Sequence, residues 1–405
     1  MRVAIVNKSG AASGGAGRMA SNLRSWLEDA GHDAELLLAE PAGEPHARHV
    51  RTRATQILKS VEVRSLMNEV VPLGYADLRR ALRRVDPDVV HVHDISRAFS
   101  IDTIRLIAKQ RPVVWTLHDQ SAMTGGCISP HPCTRFEDGC GGCPKFGSWT
   151  LQGRRDLTAY ALRRRTAFHS DSHAVIATPS AWATNRFLQS PAFAERDEIR
   201  VVPNAIRPTE ISHVTRAVAR RKLGVPADRF VVVIISHDLH DSAKNPESQR
   251  VAIRSLADLD PLVLSMGNSS VAFEQSLLPV EVRGLGFIAD GRTRRLTYAA
   301  ADVFVNASLS DTFSLTTLES LAVGTPVVAF ASGGIPEIIT PECGILVPPD
   351  DAPALAAAVR RMAAVESPDA WAAAARRRAR HFNPDAHVAA YLRLYDEAIE
   401  KFAAR

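Results

Sequence analysis

Two carboxylates eight residues apart, Asp311 and Glu319, bracket the part of this 405-residue sequence best suited to chemistry. The run Ser308-Leu309-Ser310-Asp311-Thr312-Phe313-Ser314-Leu315-Thr316-Thr317-Leu318-Glu319-Ser320 reads as a strand end, a short loop and a helix start. The first N–H groups of a helix have no intrahelical acceptor, so the backbone around Phe313, Ser314 and Leu315 suits a diphosphate or sugar oxygens. Glu319, further into the helix, is placed to accept both hydroxyls of a ribose, and Asp311 to meet a second polyol.

Two further motifs point the same way. The first predicted strand, Arg2–Asn7, runs into Gly10-Ala11-Ala12-Ser13-Gly14-Gly15-Ala16-Gly17 and then a helix over Met19–Ala30. Small residues such as Gly14 and Gly15 let a ligand approach the backbone, and the helix start favours an anion. The spacing is not the G-x-G-x-x-G of dinucleotide binding. Two strands end in His-Asp pairs: Val89-Val90-His91-Val92-His93-Asp94 and Val113-Val114-Trp115-Thr116-Leu117-His118-Asp119. Strand alternation places His91 and His93 on one face, and ligands of doubly wound sheets gather outside the carboxyl ends of strands, where His118 falls.

Four of the five cysteines, Cys127, Cys133, Cys140 and Cys143, cluster with spacing C-x5-C-x6-C-x2-C, while Cys343 stands apart. In a reducing compartment such clustering favours a metal, and the last pair has zinc-knuckle spacing. A structural zinc, disulfides or free thiols, and an iron–sulfur cluster are the alternatives, with His131 as an alternative ligand. An ion here would shape the loop and take no part in bond making.

The elements that must position these residues follow an α/β pattern. Short apolar runs alternate with amphipathic stretches: Arg2–Asn7, Ala34–Leu38, Val89–His93, Val113–His118 and Ala174–Thr178 in the first half. Phe230–Ser236, Leu262–Gly267, Val282–Gly284, Val303–Asn306, Pro326–Phe330 and Gly344–Val347 follow in the second. Continuous apolar strands joined by helices imply parallel sheets. The length fits two domains, divided near Val202-Pro203-Asn204-Ala205-Ile206: residues 1–205, with a cysteine loop at 124–144, and residues 206–385. A closing amphipathic helix over Asp385–Arg405 has Tyr391, Leu394 and Ile399 to bury. Residues 39–85 are polar and weakly periodic, and are expected outside the first sheet.

Apolar residues make up 46% and charged residues 23% of the sequence, which excludes a disordered or fibrous chain. No apolar run reaches the ~20 residues of a membrane-spanning helix. Met1-Arg2-Val3-Ala4-Ile5-Val6 has no signal-peptide layout, so a cytoplasmic location is expected. Of the net charge of +5, residues 1–205 carry +6 and residues 206–405 carry −1. The excess lies in runs such as Arg48-His49-Val50-Arg51-Thr52-Arg53, Arg79-Arg80, Arg83-Arg84 and Arg163-Arg164-Arg165. Such runs are solvated helix faces or a surface for an anionic partner, phosphate or lipid. Nucleic acid is excluded as a partner because no aromatic residues interleave them.

The order of motifs resembles a known family. Asp311-x7-Glu319, then Gly324-Thr325-Pro326-Val327-Val328, then Gly333-Gly334-Ile335-Pro336-Glu337, is similar to the donor-binding stretch of the retaining glycosyltransferases of family 4. The Gly14-Gly15 turn, the strand leading to His118, Val202-Pro203-Asn204-Ala205 and Lys244 match in the same order. The cysteine loop resembles that of members building polysaccharides and related glycans. The resemblance implies the GT-B fold, two Rossmann-like domains with an interdomain cleft, and a nucleotide-diphosphate sugar as donor. It implies that Glu319 takes the ribose and that Asp311, with the N–H groups of Phe313 to Leu315, takes the donor sugar. Lys244 would neutralise the diphosphate, Gly15 would direct its helix at that phosphate, and His118 would face the sugar. Transfer would retain the anomeric configuration, the leaving phosphate drawing the acceptor's proton, with no protein nucleophile, catalytic metal or cofactor.

The sequence departs from the usual family pattern in three places: Asp311 where Glu is common, Ser314 where Gly is common, and no Arg shortly before Lys244. That segment reads Ser236-His237-Asp238-Leu239-His240-Asp241-Ser242-Ala243-Lys244, and His237, His240, Arg294 and Arg295 are the candidates to supply the charge. The acceptor would be a carbohydrate, lipid-linked or small-molecule hydroxyl docking near residues 39–85 and the cysteine loop. A lipid-linked acceptor would bring peripheral contact with an anionic membrane at the inner face of the plasma membrane. The competing readings are a nucleotide-sugar epimerase of the same fold and a non-catalytic nucleotide-sugar or glycan-binding protein.

Overall fold

In a computed structural model of the chain, the described residues are 1–40, 44, 46–65, 72, 74–196, 198–207, 214–235, 242–267 and 275–404. His237 and His240, and the last residue of the strand expected to end at Ser236, lie outside them. The chain divides into two compact units, Met1–Asn204 together with Pro384–Arg405, and Ala205–Asn383.

The first unit is built on a parallel sheet of β1 (Arg2–Asn7), β2 (Asp33–Leu38), β3 (Ala47–His49), β4 (Val89–Val92), β5 (Val113–Thr116), β6 (Val175–Thr178) and β7 (Arg200–Val201). Their order is β3-β2-β1-β4-β5-β6-β7. The order reverses between β1 and β4, which pair directly, Val3 opposite Val89 and Val6 opposite Val92. The central strands are apolar because helices cover both faces, and Val3 to Val6, Val89, Val90 and Val113 to Trp115 are all buried.

β3 corrects the expectation that residues 39–85 lie wholly outside this sheet. Ala47–His49 pairs with β2, Leu36 opposite Ala47 and Leu38 opposite His49. The signal was missing because an edge strand can be polar, and here Arg48 pairs with Glu35 at 3.0 Å across the edge. Two expected strands are shorter than predicted: β4 stops at Val92 and β5 at Thr116, which leaves His93 and His118 just beyond their ends. The first helix begins at Gly15, four residues before Met19, with Gly14 as its N-cap at φ +137°.

The helix Pro384–Ala403 returns to the first unit and packs against β4, β5, β6 and the helix Gly15–Asp29. Tyr391, Leu394 and Tyr395 are buried, and Ile399 is half-buried. Polar atoms anchor this face. Tyr395 OH lies 2.8 Å from His91 Nδ1, Tyr391 OH lies 2.8 Å from Thr116 Oγ1, and that oxygen lies 2.8 Å from His91 Nε2. His387 Nδ1 lies 2.8 Å from the carbonyl of Pro203.

The second unit has a six-stranded parallel sheet: β8 (Val231–Ile235), β9 (Leu262–Met266), β10 (Glu281–Gly284), β11 (Val303–Asn306), β12 (Val327–Phe330) and β13 (Gly344–Val347). The order is β10-β9-β8-β11-β12-β13, with the reversal between β8 and β11. Separate apolar clusters cover its faces, one around Tyr298, Phe304 and Leu321, the other around Ile253, Phe330 and Leu355. Among the described residues no helix is long and apolar enough to cross a membrane.

The tyrosine contacts give a test of how the last helix is held. Tyr395→Phe leaves His91 Nδ1 buried without its partner and is expected to destabilise the protein by about 1–3 kcal/mol, read from urea denaturation. An unchanged midpoint would show that the ring is not held by this hydroxyl.

Candidate active site

In the second unit the predicted residues meet at the carboxyl ends of the strands flanking the reversal. β11 ends at Asn306, whose buried amide donates to Ser314 Oγ and Thr317 Oγ1, both at 3.1 Å. Those bonds fix the start of the helix Leu315–Val323. Ser314 is its N-cap, its hydroxyl accepting from the N–H of Thr317 at 3.3 Å. Ser314 has φ −75°, so the position makes no demand for glycine, and the serine contributes a cap that glycine lacks.

Asp311 lies in the loop before this helix. Its Oδ1 accepts from the N–H of Phe313 at 3.3 Å, and its Oδ2 pairs with Lys244 Nζ at 3.0 Å. Lys244 reaches it from the turn that precedes the helix Pro246–Arg254. A short turn, Ser242–Lys244, leads to Asn245 in the left-handed region (φ +48°), which caps the helix Pro246–Arg254. Asn245 Nδ2 and Ser248 Oγ both donate to Asp350, and the N–H of Leu309 donates to the carbonyl of Ala243 at 2.7 Å. The Lys244 and Asp311 loops are therefore tied together by backbone as well as charge.

Gly333 sets the depth of the Asp311 loop. It has φ +60°, and a Cβ there would meet the carbonyl oxygen of Asp311 at 2.4 Å and its nitrogen at 2.8 Å. The next residue donates its N–H to that same oxygen at 2.8 Å.

Glu319 is the fifth residue of its helix and largely enclosed, its side chain 13% exposed. Arg294, from the helix Gly291–Ala300, brings Nε to 3.3 Å from Glu319 Oε2. Sequence reasoning placed Arg294 as a charge for a diphosphate; the structure places it against Glu319. Asp311, Lys244, Phe313, Ser314, Leu315 and Glu319 thus lie on neighbouring segments of one unit.

In the first unit, Gly14 and Gly15 follow β1, and His118 follows β5. Both glycines are exposed, and no side chain caps the helix that they begin. His118 Nε2 lies 2.8 Å from His93 Nδ1, with the two rings stacked at 5.0 Å. His93 also packs against His91, with ring centres 4.2 Å apart and the planes tilted by 34°. Burial holds these rings neutral: the pKa of His118 is pushed down to about 3 and that of His387 to about 4, with His91 and His93 also well below the ordinary value. A neutral imidazole offers one donor and one acceptor. His93 and His118 can therefore share one hydrogen bond, while both nitrogens of His91 are taken by Tyr395 and Thr116.

The cysteine cluster forms a loop docked beside the helix Thr158–Asp171. Cys127, Cys133, Cys140 and Cys143 line one small cavity with Phe136, Lys145 and Thr158. The five cysteines are free thiols, and burial pushes Cys127 up to about 11 and raises Cys140 and Cys143. Among the described residues no group of three or more His, Cys, Asp or Glu side chains is arranged to hold a metal ion. Hydrogen bonds hold the loop: Lys145 Nζ donates to the carbonyls of Ser129 and His131, and Asp156 accepts from the N–H of Cys143 at 2.7 Å.

A recess of the second unit lies elsewhere, at the amino-terminal ends of β8, β11 and β12, walled by Arg216, Arg220, Asp302, Trp371 and Arg376. Arg216 and Arg220 both pair with Asp302 there, so its charges serve each other.

Two outcomes follow from this geometry. Gly333→Ala is expected to push the Asp311 loop out of place and lower turnover by about 100-fold in a steady-state assay. Wild-type turnover would show that the loop position is not needed. The buried histidines make stability fall in acid. Their folded pKa values are depressed below the ordinary 6.5, so the unfolded chain takes up protons first as the pH drops. Between pH 6.5 and 4, His91, His93 and His387 each cost up to about 1.4 kcal/mol per pH unit. The urea midpoint is expected to drop from pH 7 to pH 5, and a flat profile would contradict neutral burial.

Comparison with known proteins agrees with this arrangement. Residues 13–210 match the family described as Glycosyltransferase Family 4, and residues 250–364 match Glycosyl transferases group 1. The chain is 25% identical to the MMP alpha-(1->4)-mannosyltransferase of Mycolicibacterium hassiacum, covering 89% of each chain. Among solved structures, sucrose-phosphate synthase from Thermosynechococcus elongatus shares the fold with a TM-score of 0.73 at 21% identity, over 100% of both chains. Anabaena HepE in complex with UDP-glucose aligns with a TM-score of 0.67 at 17% identity, again over 100% of both. With both family matches in chain order on two doubly wound parallel sheets, the chain belongs to the family 4 glycosyltransferases and has the GT-B fold.

Proposed function

We propose that this glycosyltransferase takes a sugar from a nucleotide-diphosphate sugar and passes it, with retention and without a catalytic metal, to a hydroxyl acceptor in glycan biosynthesis. The observation that carries this reading is the convergence of Lys244, Asp311 and Glu319 around the start of the helix Leu315–Val323. The fold relative HepE holds UDP-glucose, and a donor of that class fits the side chains here.

Glu319, held by Arg294, accepts the two ribose hydroxyls. The N–H groups of Phe313, Ser314 and Leu315 meet donor oxygens at the helix start. Lys244 binds the diphosphate; its ammonium has three protons, so it can keep Asp311 while engaging a phosphate oxygen. Asp311 then accepts from a hydroxyl of the donor sugar. As the bond from the anomeric carbon to the diphosphate oxygen breaks, Lys244 stabilises the charge left on the phosphate. The acceptor oxygen bonds to the anomeric carbon on the face just vacated, and its proton passes to the departing diphosphate. Within the first unit, the neutral imidazole of His118 offers one donor and one acceptor to a hydroxyl, and the Gly14-Gly15 turn leaves its backbone open to a ligand. The family matches are to transferases, and the epimerase reading finds no support among them.

A screen of nucleotide-diphosphate sugars tests this. One donor is expected to raise the melting temperature and to be hydrolysed slowly in the presence of EDTA. Both effects should be lost in Glu319→Ala, and Lys244→Ala should lower turnover by about 10²–10³. NMR of the product should show the donor's anomeric configuration. A folded protein that binds no donor at millimolar concentration, or an inverted product, would overturn the proposal.

A further inference from the structure

We infer that Cys127, Cys133, Cys140 and Cys143 of the first unit are the ligands of a single structural zinc ion, which fastens the loop 124–144 beside the helix Thr158–Asp171. The assignment stands apart from the transferase reading, and its test does not use turnover.

The donor set selects a soft metal. All four cysteines line one small cavity, and among the described residues its wall holds no carboxylate and no imidazole. His131, the alternative ligand in the sequence, is not part of that wall. Thiolates select zinc, copper(I) or iron–sulfur clusters over magnesium and calcium. A small cavity suits one ion better than a cluster of iron and sulfide, and the C-x2-C pair Cys140 and Cys143 has the spacing of a zinc knuckle.

The backbone is shaped to receive thiolates. The N–H of Ser129 donates to the sulfur of Cys127, that of Lys145 to Cys143 and that of Gly125 to Cys140. Two of these bonds reach back to the cysteine two residues earlier and close a tight turn around its sulfur. A neutral thiol is a weak acceptor, whereas a thiolate makes charge-assisted bonds. Residues 139–142 all have positive φ, and Cys140 is among them at +61°. A non-glycine residue in that region is uncommon and persists where its surroundings fix it. The N–H of Gly141 donates to Thr158 Oγ1 at 3.1 Å, which ties this turn to the start of the neighbouring helix.

A second layer supports the turns. Lys145 Nζ donates to the carbonyls of Ser129 and His131 at 2.6 and 2.7 Å, which holds its charge near Cys127 and Cys143. Arg135 donates to the carbonyl of Gly141 at 3.2 Å, and Asp156 accepts from the N–H of Cys143. Four thiolates around a divalent ion leave a net negative charge, which the two cations offset. The sulfurs do not converge on one point in this structure. One torsion separates each sulfur from its backbone, so closure of the set is a matter of χ1 rotation. Each thiol gives its proton to solvent as its sulfur binds the ion.

The test is metal analysis of the full chain, purified anaerobically without chelator. Elemental analysis is expected to find one zinc per chain, released to a colorimetric indicator as an organomercurial titrates the thiols. Cobalt(II) taken up in place of zinc should give the intense visible bands of tetrahedral thiolate coordination. Cys140→Ser and Cys143→Ser should each lower retained zinc by at least about tenfold and lower the melting temperature. Cys343→Ser, outside the loop, should retain the ion. If the loop variants do not fold, the cobalt spectrum of the unaltered chain decides. A chain that takes up no added zinc, a disulfide within the loop, the absorption of an iron–sulfur cluster, an octahedral cobalt spectrum, or zinc unaffected by both loop substitutions would overturn the inference.

Discussion

A parallel strand covered by helices on both faces has little room for polar chemistry except where it ends. Every strand of a parallel sheet ends on the same edge, so the loops carrying polar groups are gathered there by the backbone alone. In the first unit that edge collects Lys8, Gly14, His93, Asp94 and His118; in the second it collects Lys244, Asn306 and Asp311. The buried valines and isoleucines of β1, β4, β8 and β11 supply no chemistry, but they fix the starting point of each loop.

The two units handle their polar groups differently, and burial explains why. His91 is wholly enclosed by Thr116, Tyr391 and Tyr395. A charged ring there would cost more than its neutral contacts recover, so the row of imidazoles is uncharged. Lys244 and Asp311 sit at a mouth, their side chains 41% and 19% exposed. Such a pair is solvated and worth about 0–1 kcal/mol. A weak pair can be re-partnered by a ligand at little cost, whereas a buried one could not be opened without losing several kcal/mol. Glu319 and Arg294 are more enclosed, which suits a pair that keeps one geometry.

Much of this was legible in the sequence, for reasons that also mark where legibility stops. The central strands announce themselves because burial on both faces demands unbroken apolar runs. β3 and β7 do not, because edge strands such as Ala47–His49 and Arg200–Val201 tolerate Arg and His. The start of the first helix at Gly15 escaped because Gly-Ala-Gly has weak helical propensity, and the chain around it decides the boundary. Asp311 and Glu319 were visible because both belong to one continuous loop and helix. The close approach of Gly333 to Asp311, and of Arg294 to Glu319, joins segments more than twenty residues apart in the chain, and local spacing cannot predict such closures. The cysteine spacing was equally visible, but spacing does not fix where four thiols point, and it is the packing of the loop that brings them around one cavity.

The excess positive charge of the first half takes on a different meaning once its arginines are located. Arg83 and Arg84 are exposed, but the other arginine-rich runs each send at least one member inward or into a pair. Arg51 is buried and donates to the carbonyl of Arg97, Arg80 pairs with Asp77, Arg164 pairs with Asp102, and Arg165 is buried and donates to the carbonyl of Ala161. Arg2, Arg24, Arg48, Arg105 and Arg111 also have carboxylate partners. These charges mostly stitch elements together, so their number in the sequence overstates the field they offer to a partner. Lys8 and Arg97 contribute little to that count, yet both are directed at the face of an exposed indole. Position in the fold, more than the total of basic residues, therefore decides where an anion would be recognised in this half of the protein.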